Sequence, residues 1–197
     1  MLGGVKSRYE FEPVPLTFLE GRVTNVFAKK NNKTLQETFE HRRYLKLGLE
    51  MRKRYDAQLS QPLGDFLLKL KSSGDMTYRK FLNAYGDEIY TTFRIQNTEH
   101  LMSRGVYAYC VDSRVVYVGR CRDNMGSRIN QGYGKIHPKN CYLDGQATNC
   151  HLNALVASTE GKIELWLSRI DDADTITAVE RDIIQSNKPV WNLHHYV

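Results

Sequence analysis

Near the C-terminal end of the chain, Ile176, Val179, Ile183 and Ile184 recur with a helical period, and Glu180 falls on the same face. A carboxylate turned toward an apolar stripe is costly unless it is paired or ligates a cation. Glu180 is therefore read either as a rim residue reaching solvent or an arginine, or as a ligand. Upstream, Tyr107 and Tyr117 flank the residues Asp112, Ser113 and Arg114 in a pattern that lands both phenols on paired strands. Arg128 follows Gly119 at the head of a helix, and Asn192 closes the set in KPVWN. Such side chains can hold a cation, grip an anion in a guanidinium fork and exchange protons. A second group, His137, Cys141, Cys150 and His151, has metal-ligating types, but its spacing fits none of the usual zinc pairs and reads as buried thiols.

The elements that must position these residues can be read from periodicity. VYAYCV (106–111) and VVYV (115–118) form an antiparallel hairpin, and KIELWLSRI (162–170) alternates as a third strand. Helices are expected around 124–131, 148–158 and 174–187, before Pro189. This ββααβα order is an α+β domain, assigned to 101–197. Ahead of it, 1–28 reads as an extended arm. TLQE at 34–37 has the form of a capping box opening one helix to about residue 58, with Tyr44, Leu47, Met51 and Tyr55 on one face. Pro62 opens a helix burying Leu63, Phe66, Leu67 and Leu70, and Asp75 caps another burying Tyr78, Phe81, Leu82 and Tyr85. IYTTFRI (89–95) is a strand or a connector. Residues 1–100 are thus expected to form a mostly helical extension.

The 197 residues are 41% hydrophobic and 25% charged, enough apolar material for a core. No apolar run approaches a membrane span and the opening lacks a secretory signal, so a cytoplasmic protein without a membrane partner is expected. The net charge is +6, and it is not spread evenly. Lys29, Lys30, Lys33, Arg42, Arg43, Lys46, Arg52, Lys53 and Arg54 face only three acids within 29–54, so this run holds the entire excess. In the polar stretch that follows the tyrosine hairpin, Lys135, Lys139, Asn140, Gln146 and Asn149 either reach phosphates and base edges or form a solvated loop.

The ordered set GVY (105–107), YVG (117–119), Arg128, Glu180 and Asn192 resembles the GIY-YIG endonuclease family over residues 105–192. The resemblance implies a small three-stranded antiparallel sheet flanked by helices, here with an N-terminal, mostly helical extension. It implies phosphodiester hydrolysis, which needs an activated water, a cation on the phosphate and help for the leaving oxygen. Tyr107 would be the activating base, its pKa lowered from about 10 by nearby cations. Arg120 is one candidate for that field and Arg122 another. Tyr117 would orient water or phosphate, Arg128 would grip the phosphate, Asn192 would position the leaving side, and Glu180 would bind one Mg2+, with Mn2+ as a substitute.

Two departures from the family pattern concern Arg128 and the residue after it. Many relatives place the arginine one residue closer to the YIG glycine, so a bulge or shifted helix start must absorb the difference. Many also carry His or Tyr one helical turn after that arginine, where this chain has Gly132; Tyr133 and His137 are the nearest substitutes. The resemblance and the basic run together imply a restriction-type, site-specific endonuclease acting on double-stranded DNA. Such a compact enzyme would be prokaryotic or phage-encoded, and would work as a homodimer or higher oligomer to cut both strands. The alternatives are a structure-selective or phage-encoded nicking nuclease and a non-catalytic DNA-binding module.

Overall fold

The computed structural model describes residues 9–194. In chain order the elements are β1 (Glu12–Val14), β2 (Leu16–Val23), α1 (Leu35–Phe39), α2 (Leu45–Met51), α3 (Leu63–Ser72), β3 (Tyr90–Ile95), α4 (Thr98–Met102), β4 (Gly105–Val111), β5 (Arg114–Cys121), α5 (Ala147–Ser158), β6 (Ile163–Arg169) and α6 (Ala173–Asn187). Short 3-10 turns and one π-helix (Gly126–Tyr133) connect them. The fold is α+β, and no helix among the described residues is long and apolar enough to cross a membrane. The chain forms two compact units that interleave in sequence. One is built from residues up to Gly21, from Thr91–Lys135 and from Leu155 onward; the other is built from Arg22–Tyr90 and Ile136–Ala154. The division expected at residue 100 is therefore replaced by two discontinuous units.

The first unit is organised on a sheet of order β1-β6-β4-β5. It has four strands where three were expected, because Glu12–Val14 of the N-terminal arm pairs antiparallel with β6, Glu12 opposite Leu167. Pro13 is tolerated there because β1 is an edge strand. The β4–β5 hairpin turns through Asp112 and Ser113, both with positive φ (48° and 67°), the signature of a tight primed turn, and Arg114 already belongs to β5. On one face of the sheet, Val106, Ala108 and Val118 pack against Ile176, Val179, Ile183 and Ile184 of α6. Alternation along the strands sends Tyr107, Tyr109 and Tyr117 to the other face.

The second unit has its own core, centred on Phe27, Leu35, Phe39, Leu63, Leu67 and Phe81. The capping box is present: Thr34 Oγ1 accepts from Glu37 N (3.2 Å), and Glu37 Oε2 accepts from Thr34 N (2.7 Å). The single helix expected over 34–58 is broken, with a turn at Glu40–Arg43 separating α1 from α2. In one continuous helix Phe39 and position 48 would lie about 13 Å apart along the axis. The break instead brings α2 back onto α1, so close that a Cβ on Gly48 would stand 2.9 Å from Phe39 Cβ. Tyr44, Leu47, Met51 and Tyr55 still all point inward. Asp75 caps a 3-10 turn (Met76–Phe81) in place of the expected α-helix, its Oδ1 accepting from Thr77 N.

Because the Thr34 hydroxyl satisfies an otherwise orphaned donor of α1, Thr34→Ala is expected to lower stability by about 1 kcal/mol in urea unfolding. An unchanged midpoint would show that the cap is energetically idle.

Candidate active site

In the β4–β5 register Tyr107 stands opposite Gly119. The lack of a side chain at Gly119 lets the phenol lie across β5: a Cβ there would be 2.5 Å from Tyr107 Oη and 2.9 Å from Tyr117 Cε1. Tyr107 Oη donates to Tyr133 Oη at 3.0 Å, and the Tyr117 and Tyr133 hydroxyls are 3.3 Å apart. The three rings form a triangle with centroids 6.3 Å from one another.

Tyr133 reaches this place through a local irregularity. The segment Gly126–Tyr133 is a π-helix, closed by Gly134 N donating to Ile129 O five residues back. The wider turn takes up one residue more than an α-helix would. It places Tyr133, one position beyond Gly132, under Arg128, whose guanidinium carbon lies 6.0 Å from the Tyr133 ring centroid. His137 belongs to the second unit, where its Nδ1 accepts from Lys139 N (3.2 Å) and caps a 3-10 turn. Of the two candidates, Tyr133 is the one hydrogen-bonded to Tyr107.

The electrostatics of the phenols reverse one expectation. Burial, reinforced by the neighbouring Tyr133 and Tyr117, pushes Tyr107 well above the ordinary phenol range, and burial does the same to Tyr117. Arg128 opposes both shifts. The cation acting on Tyr107 is therefore Arg128, in place of Arg120 or Arg122, and in this state Tyr107 is a protonated donor. Arg120 lies opposite Val106 in the register, on the α6 side of the sheet. There its Nη1 meets Glu180 Oε2 at 2.7 Å, while Arg122 Nη2 donates to Thr177 Oγ1 at 2.8 Å.

Glu180 is 8% exposed, so its position on the apolar stripe is a buried one and its partner is an arginine. Burial raises its pKa; Arg120, Arg128 and Arg122 act in the opposite direction. A lone carboxylate is a donor set that Mg2+ accepts, since that ion keeps several waters and often takes only one or two protein oxygens. Among the described residues no three His, Cys, Asp or Glu side chains gather, so an ion at Glu180 would complete its shell with water or substrate oxygens.

Asn192 acts on the strand itself. Its Oδ1 accepts from Val118 N (2.9 Å) and its Nδ2 donates to Val118 O (2.8 Å), while Trp191 N donates to Val116 O (2.8 Å). The C-terminal segment is thereby fastened to β5 and fixes the backbone on either side of Tyr117. Tyr109, which is not among the candidates read from the sequence, shares the face of Tyr107 and Tyr117 and is fully buried, with no hydrogen-bond partner for its hydroxyl among the described residues. The strict alternation of Tyr107 and Tyr109 was the available signal.

The residues expected at DNA divide. The basic run is exposed except for the half-buried Lys30, and Lys135, Lys139 and Gln146 are also exposed. Asn140 and Asn149 are engaged within the fold: Asn140 Oδ1 accepts from His137 N (3.0 Å), and buried Asn149 donates to Gln146 Oε1 (3.0 Å). No family model matches the chain, and neither the curated proteins nor the solved structures contain a match to it.

With its folded-state pKa raised, Tyr107 should stay protonated through the range near pH 10 where free phenols ionise. Absorbance titration should then give wild type and Tyr107→Phe the same phenolate signal up to that pH. An extra phenolate in the wild type there would show that Tyr107 is not desolvated. The stability held by Tyr107 and Tyr117 is present in full below pH about 10 and is lost as pH rises toward their raised folded values.

Proposed function

We propose that the chain is a magnesium-dependent endonuclease of the GIY-YIG type that hydrolyses phosphodiester bonds of double-stranded DNA at specific sites. The observation that supports it best is the convergence of three tyrosine hydroxyls over Gly119 beside Arg128, a guanidinium that acts on Tyr107, Tyr117 and the Glu180 carboxyl alike. Arg128 would hold the scissile phosphate in a fork and stabilise the charge that develops on it. Tyr107 would take the proton of the attacking water as it releases its own to Tyr133; Tyr133 would pass its hydroxyl proton on to Tyr117, and Tyr117 its own to a phosphate oxygen of the substrate. Tyr117, at the far side of Tyr133, would orient water or phosphate. Glu180 would hold Mg2+, which when bound polarises the phosphate and stabilises the leaving oxygen. Arg120 fixes the Glu180 carboxylate, and Asn192 holds β5; both are positioning residues. One such cluster per chain cuts one strand, so a double-strand break would take two copies or two visits.

Glu180→Ala should abolish magnesium-dependent cleavage of a plasmid while leaving DNA binding in place, and unchanged cleavage would remove Glu180 from the metal site. Tyr107→Phe should cost about 100-fold or more in rate, the usual weight of a general base. End mapping should give discrete fragments; a smear would favour a nicking nuclease of low specificity, and no cleavage at all a binding module.

A further inference from the structure

Tyr142 joins two turns of the second unit that are more than a hundred residues apart in sequence. Its hydroxyl donates to Phe27 O (2.9 Å, a separation of 115 residues), and the ammonium of Lys30 lies 4.7 Å from the centroid of its ring. The turn that carries Lys139 is held in place by Asn83, whose Nδ2 donates to Asn140 O (2.6 Å) and Tyr142 O (3.1 Å). One residue past Tyr142, Leu143 O accepts from Arg43 Nη1 (3.2 Å). The fold thus gathers basic residues from both polar stretches around a single turn.

Basic groups outnumber the acids beside them. Burial lowers the pKa of Lys30; the Asp144 carboxylate acts against that, and the nearby ammonium groups of Lys33 and Lys139 add smaller lowering effects. Asp144 Oδ1 already accepts from Tyr44 Oη (2.9 Å). Four cations thus share two carboxylates, Asp144 beside Lys30 and Glu37 beside Lys33, both already engaged in hydrogen bonds, and a polyanion is the partner that offsets the remaining positive charge. The later part of the basic run is arranged differently: Arg54 is paired with Asp75 (2.9 Å), and Arg52 stacks 5.8 Å over the Phe39 ring.

We propose that Lys30, Lys33, Arg43 and Lys139 form one docking site for the phosphate backbone of duplex DNA, and that Lys46–Arg54 lies outside it. The proposal rests on the nuclease reading for its choice of polyanion, and it locates where the second unit meets that substrate.

The test uses the full chain and a 20-base-pair duplex, with binding followed by anisotropy across a salt series. Each phosphate contact contributes about 0.9 to the slope of log affinity against log salt, so a K30Q/K33Q/K139Q variant should lose about 2 to 3 from that slope. K30R/K33R/K139R should keep the wild-type slope, which separates lost charge from lost folding. K46Q/K53Q/R54Q should leave it nearly unchanged. Equal effects of the two glutamine variants, or no effect of the first, would overturn the site, as would tighter binding to phosphatidylserine vesicles than to the duplex. Magnesium-dependent cleavage is read separately: a wild type that cleaves beside an unaffected K30Q/K33Q/K139Q variant overturns only the docking site. A wild type that neither binds nor cleaves overturns the nuclease reading and the docking site together.

Discussion

The first unit depends on a single close approach, the phenol of Tyr107 lying across the bare backbone of Gly119. A cross-strand aromatic over glycine fixes three things at once. It sets the height of the Tyr107 hydroxyl above the sheet, and so the point at which Tyr133 must arrive. It brings the ring of Tyr117 alongside, since a Cβ at Gly119 would meet that ring as well. It also removes all three hydroxyls from bulk water, and they hydrogen-bond to one another through Tyr133. The π-helix is the device that answers this demand: an α-helical turn would present Gly132 where a hydroxyl is required.

The sheet separates the two kinds of chemistry. Protons can be exchanged among phenols on one face, while the carboxylate and its arginine lie on the α6 side, where Glu180 interrupts a stripe of isoleucine and valine. Arg128 acts on groups of both kinds. An isolated carboxylate in that stripe would be strongly disfavoured, and the 2.7 Å contact with Arg120 is what keeps it tolerable without requiring solvent. The same contact orients the carboxylate, so Arg120 contributes through Glu180 while being absent from the surroundings of Tyr107.

Features set by local chemistry were legible in the chain. The Thr34–Glu37 box, the Asp112–Ser113 turn and the inward face of α6 follow from residue type and spacing alone, and Glu180 announced itself by interrupting a periodic stripe. Features set by distant partners were not. Nothing in Glu12–Val14 says that it will complete a sheet through β6, because a short strand is specified by the edge it meets. The break after Phe39 is dictated by the packing of Gly48 on Phe39, a contact that no helical period encodes. Asn140 and Asn149 looked like groups free to read bases, yet their amides close turns whose existence depends on the surrounding unit. The glycine at position 132, one turn after Arg128, was visible as a mismatch, but its resolution by a π-helix that brings up Tyr133 needed the backbone.

The desolvation that protects Tyr107 also constrains how it could serve as a base. Its proton is held by burial and by the hydroxyls around it, with Arg128 pulling the other way. A phosphate gripped by Arg128 would neutralise much of that pull, so substrate binding by itself makes Tyr107 harder to ionise. The proton must then leave along a path, and the 3.0 Å bond to Tyr133 is the one the structure supplies. Tyr133 can accept it only by giving up its own hydroxyl proton toward Tyr117, 3.3 Å away, whose oxygen can act as donor or acceptor and would hand a proton on to the phosphate. A chain of three phenols on the hairpin and the π-helix would therefore do what one tyrosine could not, keeping the site dry and neutral at rest while giving a proton a route among hydroxyls already within reach of one another.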